Sequence, residues 1–104
     1  MPAVTNAVTW VPTQGKVAEF LGAVATAKKI HERLGAQVTV ARCVTGGTPM
    51  SVVYMTTHES GSAYGAFMDA LGDDEEWNQF WASQGAGEPV GRMEGSALYA
   101  EVEL

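Results

Sequence analysis

The order in which hydrophobic periodicities succeed one another constrains this chain most. A period of two over residues 4–11 gives way to steps of three and four up to about Leu34. The period of two returns on either side of Gly46-Gly47, steps of three and four recur over residues 63–81, and the chain closes on a period of two. Strand, helix, hairpin, helix, strand is a β-α-β-β-α-β order. It predicts an α+β sandwich in which a four-stranded antiparallel sheet carries two helices on one face. A chain of 104 residues closes one core, so residues 1–104 are a single domain.

In the first strand Val4, Val8 and Trp10 alternate with Thr5, Ala7 and Thr9 until Pro12 stops it, and Thr13 is placed to cap the helix that follows. Val17, Phe20, Leu21, Val24, Ala27, His31 and Leu34 form that helix's apolar stripe, and Gly35 supplies a left-handed end. Lys28, Lys29 and Arg33 sit in its last turns, where the helix dipole favours positive charge. Residues 37–45 alternate again, Gly46-Gly47 reads as a two-residue hairpin turn, and the return strand covers residues 50–57. Val38 and Val40 set against Val52, Tyr54 and Met50 make both hairpin faces apolar.

Tyr64, Phe67, Met68 and Leu71 form one helical stripe, and Trp77, Phe80 and Trp81 form another that is out of phase with it. The helix is therefore expected to break near Gly72, with Asp73 and Glu76 as a capping box for its second half. Residues 92–104 make a last strand with Leu98, Ala100, Val102 and Leu104 on one face. The whole pattern is ferredoxin-like. Helices on one side leave the other sheet face bare, and an apolar bare face is expected to meet a second copy of the chain, sheet against sheet.

Twelve carboxylates stand against six Lys and Arg, a net charge of -6 that leaves no basic stripe for phosphates, so nucleic acid is not an expected partner. The single Cys43 forms no intrachain disulfide, and Cys/His spacing suited to a metal is absent. The N-terminal residues show neither a basic region nor a long apolar run. A cytoplasmic location away from membranes is the expectation.

The segment Asp73-Asp74-Glu75-Glu76-Trp77-Asn78-Gln79-Phe80-Trp81, following a strand that ends Val53-Tyr54-Met55-Thr56-Thr57, resembles the dimeric α/β-barrel superfamily. Within it the chain looks most like the NIPSNAP-type and antibiotic-biosynthesis-monooxygenase-type members. The resemblance implies a dimer with one pocket per subunit, between the sheet and its helices. It implies no single reaction, because such proteins include cofactor-independent monooxygenases, cyclases, isomerases and haem-degrading enzymes.

His31 falls inside an apolar stripe, where an imidazole, whose ordinary pKa lies near neutrality, is either a general acid or base, or a helix-end side chain bonded to a carbonyl. Arg42 interrupts a valine face, and either pairs with Glu94 or Glu101 or holds an anionic substrate oxygen. Tyr54, Tyr64 and Trp81 are candidates to line an aromatic-substrate cavity, and His58 to reach its mouth. These residues favour a protein that binds or processes a hydrophobic small molecule without metal or cofactor. A non-catalytic binding or structural dimer is the alternative, and haem ligation through His31 or His58 a third reading.

Overall fold

The computed structural model describes residues 2–104. It contains β1 (Val4–Pro12), α1 (Val17–Arg33), β2 (Gln37–Arg42), β3 (Val52–His58), α2 (Gly61–Asp73), α3 (Glu75–Ala86) and β4 (Gly91–Ala100). The strands form one antiparallel sheet in the order β2-β3-β1-β4, the ferredoxin-like arrangement expected from the element order. A register shift between Thr9 and Trp10 marks a bulge against β4.

Register decides which side chains meet the helices. Val8 pairs with Tyr54, and Tyr54 with Val40, so Val38, Val40, Val52 and Tyr54 share one face. This corrects the expectation that these residues cover both faces of the hairpin. The opposite face carries Val53, Met55, Val11 and Tyr99 interleaved with Thr5, Thr9, Thr39 and Thr57, and the Thr5 and Thr57 hydroxyls hydrogen bond across it at 3.1 Å.

Other boundaries differ from the sequence reading for local reasons. Thr13 does not cap α1. Its hydroxyl donates to the Pro89 carbonyl at 2.9 Å and its N–H to Val90 at 2.8 Å, fastening the end of β1 to the approach to β4. Lys16 precedes α1 without a side-chain cap. The hairpin connection is a loop over residues 43–51 rather than a two-residue turn, although Gly46 and Gly47 do take positive φ, 74° and 59°. Strand β4 ends at Ala100, leaving Val102 and Leu104 exposed beyond it.

Helix α2 runs through Gly72, and the break comes at Asp74, whose extended backbone ends α2 and opens α3. Asp74, not Asp73, is the cap: its carboxylate accepts from the Trp77 N–H at 2.9 Å. Arg33 at the end of α1 donates to Asp74 at 2.8 Å and to Glu76 at 2.9 Å, and this fixes the new helix direction. Beneath it Ala36, Phe67 and Leu71 form a small buried cluster, with Leu34, Val38 and Trp77 packed around it.

At Gly91 the sheet lies tight against the Phe20 side chain of α1. A Cβ there would lie 2.8 Å from the Phe20 ring and 3.2 Å from the Val11 carbonyl oxygen. Phe20 is only 4% exposed and cannot swing away freely. Gly91→Ala is expected to lower stability by about 1–3 kcal/mol in urea unfolding, and Phe20→Leu in the same background to recover part of that loss.

Candidate functional site

The helices arch over the sheet without filling the space beneath. A cavity of about 670 Å³ opens there, walled by Val8, Trp10 and Tyr54 from the sheet, Val24 and His31 from α1, and Phe67, Trp77 and Trp81 from α2 and α3. Its place follows from the sequence pattern. Both aromatic stripes, Tyr64-Phe67-Met68-Leu71 and Trp77-Phe80-Trp81, face it, as do Phe20, Val24, Ala27 and His31 of the α1 stripe. None of the described residues lining it is Asp, Glu, Lys or Arg. A volume of this size lies in the range of small-molecule sites.

His31 is the polar centre of the cavity. Its ring meets Trp77 at a centroid distance of 4.6 Å and the edges of Tyr54 and Phe67 at 5.5 Å each. Nδ1 lies 2.6 Å from the Tyr54 hydroxyl, whereas buried Nε2 has no hydrogen-bond partner among the described residues. Burial, reinforced by the nearby His58, pushes the His31 pKa down to about 4, so the imidazole is neutral near pH 7. Burial, and secondarily the negative charge of Glu32, holds the Tyr54 phenol above its ordinary value, which keeps its hydroxyl protonated.

The other sequence candidates separate. Tyr64 lines the same cavity and sets its ring against His58 at 5.2 Å. Trp81 lines it too, stacked on Trp77 at 5.5 Å with half of its surface exposed at the rim. His58 is buried but opens into a different hollow, of about 650 Å³, bordered by Leu34, Gly35 and Glu59. Phe67 stands between the two imidazoles, 4.9 Å from His58 and 5.5 Å from His31. Burial lowers the His58 pKa, and its Nε2 lies 3.1 Å from the Thr56 hydroxyl.

Arg42 does not join His31. It ends β2 as an exposed side chain, lines neither hollow, and forms no ion pair among the described residues. Neither of its expected partners, Glu94 or Glu101, pairs with it, and Glu94 is engaged by Arg92 and Thr48 instead. Asn6 and Thr56 are cavity residues that the sequence reading passed over. Both lie on the alternate positions of β1 and β3 that carry Val8 and Tyr54, so strand alternation was the signal for them. Among the described residues no group of three or more His, Cys, Asp or Glu is placed to hold a metal ion, and no helix is long and apolar enough to cross a membrane.

No known family profile matches the sequence, and no curated protein matches it. Solved structures do match. An uncharacterised NIPSNAP domain protein from Burkholderia xenovorans superposes with a TM-score of 0.73 at 22% identity, over 97% of this chain and 94% of that one. A candidate antibiotic biosynthesis monooxygenase from Chloroflexus aurantiacus gives 0.64 at 11% identity over 97% and 94%. An N63A mutant of SnoaB, a cofactor-independent oxygenase from Streptomyces nogalater, gives 0.67 at 14% identity over 98% and 95%. The chain thus has the fold shared by NIPSNAP and antibiotic-biosynthesis-monooxygenase-type proteins, as the resemblance in its sequence implied.

The electrostatics of His31 bear on stability. Unfolded, its imidazole takes up a proton near the ordinary value of 6.5, whereas the folded chain accepts one only near pH 4. The unfolded state therefore binds more protons across that window, so stability is full above pH 6.5 and is lost as pH falls towards 4. The urea midpoint is expected to fall between pH 7 and pH 5. In His31→Phe the fall shrinks to the part contributed by His58, whose pKa is lowered in the same direction.

Proposed function

We propose that this protein binds a hydrophobic, aromatic small metabolite in the cavity between its sheet and helices and acts on it without a bound cofactor, as an oxygenase, isomerase or cyclase. The observation that carries the binding step is the cavity itself, roofed by aromatic rings and free of charged side chains among the described residues. The chemical step draws on the likeness of fold to SnoaB, whose own activity is a cofactor-independent oxygenation. One observation favours a non-catalytic binding protein as the second reading. His31 faces the cavity with no charged partner, and Arg42 lies elsewhere.

Fluorene, a neutral and flat aromatic hydrocarbon, is a suitable probe of the cavity. Equilibrium dialysis is expected to show saturable binding to the wild type. Ala27→Trp, which fills the cavity from α1, is expected to weaken it at least tenfold while the far-ultraviolet circular dichroism stays unchanged. Binding that survives Ala27→Trp, or no binding by the wild type, removes this reading. Oxygen uptake on adding a hydroxylated aromatic then separates an oxygenase from a protein that only binds.

The protein also functions, in this proposal, as a homodimer joined through the sheet faces that bear no helices. Val11, Val53, Met55 and Tyr99 on that face supply the apolar surface, and Tyr99 is 61% exposed in the single chain. Light scattering is expected to give twice the 11.0 kDa chain mass, and Met55→Arg, central on that face, to give the single-chain mass without unfolding. A wild-type chain that stays at 11.0 kDa at high concentration removes the dimer.

A further inference from the structure

We propose that Asn6 is the polar anchor of the cavity and that it holds one end of a flat, uncharged aromatic ligand. The end it holds carries an N–H beside a carbonyl, as a lactam does, and the rest of the ligand lies towards Trp10. The inference rests on the cavity being a binding site. It adds the residue that orients the ligand and the chemistry of the end which that residue meets.

The register of β1 puts the Asn6 side chain in the hollow. β1 lines the cavity through Asn6, Val8 and Trp10 and not through Thr5, Ala7 and Thr9, so the lining follows the side chains of the helix-facing positions. β1 is an inner strand, with Thr56 of β3 on one side of Asn6 and Leu98 of β4 on the other, so Asn6 has no sheet edge to turn out over. The residue is half-buried. Side-chain hydrogen bonds around it join Tyr54 to His31 and Thr56 to His58, and among the described residues none reaches its carboxamide. Nor is the carboxamide shut away. Among described residues that are not exposed, Nε2 of His31 is the one unpartnered side-chain nitrogen or oxygen without accessible surface, so the atoms of Asn6 keep theirs. On this face of an inner strand their open side is the cavity.

A primary carboxamide offers a donor and an acceptor in one plane, and turning it over exchanges the two without losing either. A ligand that strips water from such a group has to return both bonds, because a polar group left unpaired is costly. A hydrocarbon returns neither, and a lone carbonyl returns one. The adjacent N–H and C=O of a lactam return both, in the plane of the ring. A carboxylate is disfavoured for a separate reason: none of the described residues lining the cavity carries a full charge to replace its hydration. The opposite end of the floor suits hydrocarbon. Trp10 lies four residues along β1, about 13 Å from Asn6, opposite Met93 and packed on Phe20 at a centroid distance of 6.3 Å.

Naphthalene, 2-quinolone and N-methyl-2-quinolone form a matched set for the test, since they share a ring frame and are all uncharged. Equilibrium dialysis of the wild type is expected to show 2-quinolone bound about tenfold tighter than its N-methyl derivative, which keeps the carbonyl and loses the donor. In Asn6→Leu the two should bind alike, with 2-quinolone weakened about tenfold and naphthalene held as tightly as before or tighter. A methyl group that simply does not fit would keep its penalty in that variant, and a merely structural role of Asn6 would weaken all three together; either result overturns the inference. Two measurements on the wild type do not need the variant to fold. In proton–nitrogen NMR the Asn6 side-chain amide signals should move downfield with 2-quinolone and stay nearly still with naphthalene. Nuclear Overhauser contacts should join the benzo ring of 2-quinolone to Val8 and Trp10. Equal binding of the two quinolones, an unmoved Asn6 amide or a reversed pose overturns the inference and leaves the cavity reading standing. Failure of all three to bind overturns the inference as well, and failure of fluorene along with them overturns both.

Discussion

The ion pair and cap centred on Asp74 are the constraint on which the site depends. A helix drawn straight on from α2 would send the Trp77, Phe80 and Trp81 stripe away from the sheet, because the two aromatic stripes are out of phase at 100° per residue. Asp74 leaves the helical conformation, accepts the Trp77 N–H, and is itself held by Arg33 from the end of α1. The guanidinium draws the Asp74 pKa below its ordinary value, and the backbone N–H of Trp77 acts in the same direction. One carboxylate thus joins the end of α1 to the start of α3. The consequence lies a few ångströms inward, where Trp77 comes to rest on the His31 ring.

Much of this architecture was legible in the sequence, because periodicity reports which face of an element is buried. The element order, the left-handed Gly35 with φ of 101° and the inward His31 all follow from apolar spacing, and the structure contains each of them. What escaped depends on contacts between residues distant in the chain. Asp73 and Asp74 are adjacent acidic residues, and only the reach of Arg33 decides which of them caps α3. Thr13 looked like a helix cap because nothing local reveals that the Pro89 carbonyl waits for its hydroxyl. Arg42 occupies a helix-facing position of its strand, but at the strand's end, beyond the helices' cover. Alternation alone cannot see that.

Ile30 illustrates the same limit inside a correctly placed helix. It is the most buried large side chain, 1% exposed, yet it falls outside the stripe drawn from Val17 to Leu34. The middle of that stripe, Phe20, Val24, Ala27 and His31, faces the cavity. A stripe whose middle faces a cavity need not be the most buried one, since cavity walls keep some accessible surface, and its outer members Val17 and Leu21, which do not line the cavity, are over 40% exposed. The helix therefore presents two apolar directions, one into packed core and one into the hollow, and a single hydrophobic period merges them.

A histidine placed among aromatic rings ordinarily weakens a fold, and its persistence here follows from how the cost is divided. Desolvation acts on the charged form, so the imidazole gives up its proton and the penalty of burying a full charge is avoided. The Tyr54 hydroxyl lies 2.6 Å from Nδ1 and satisfies that ring nitrogen. What remains is one buried polar atom, Nε2, with no partner among the described residues, a cost of about 1–3 kcal/mol that a phenylalanine at this position would not incur. Stability alone gives no reason to keep that atom, because nothing in the packed part of the protein uses it. His31 as a residue lines the cavity, so the residual cost is concentrated in the wall of that hollow.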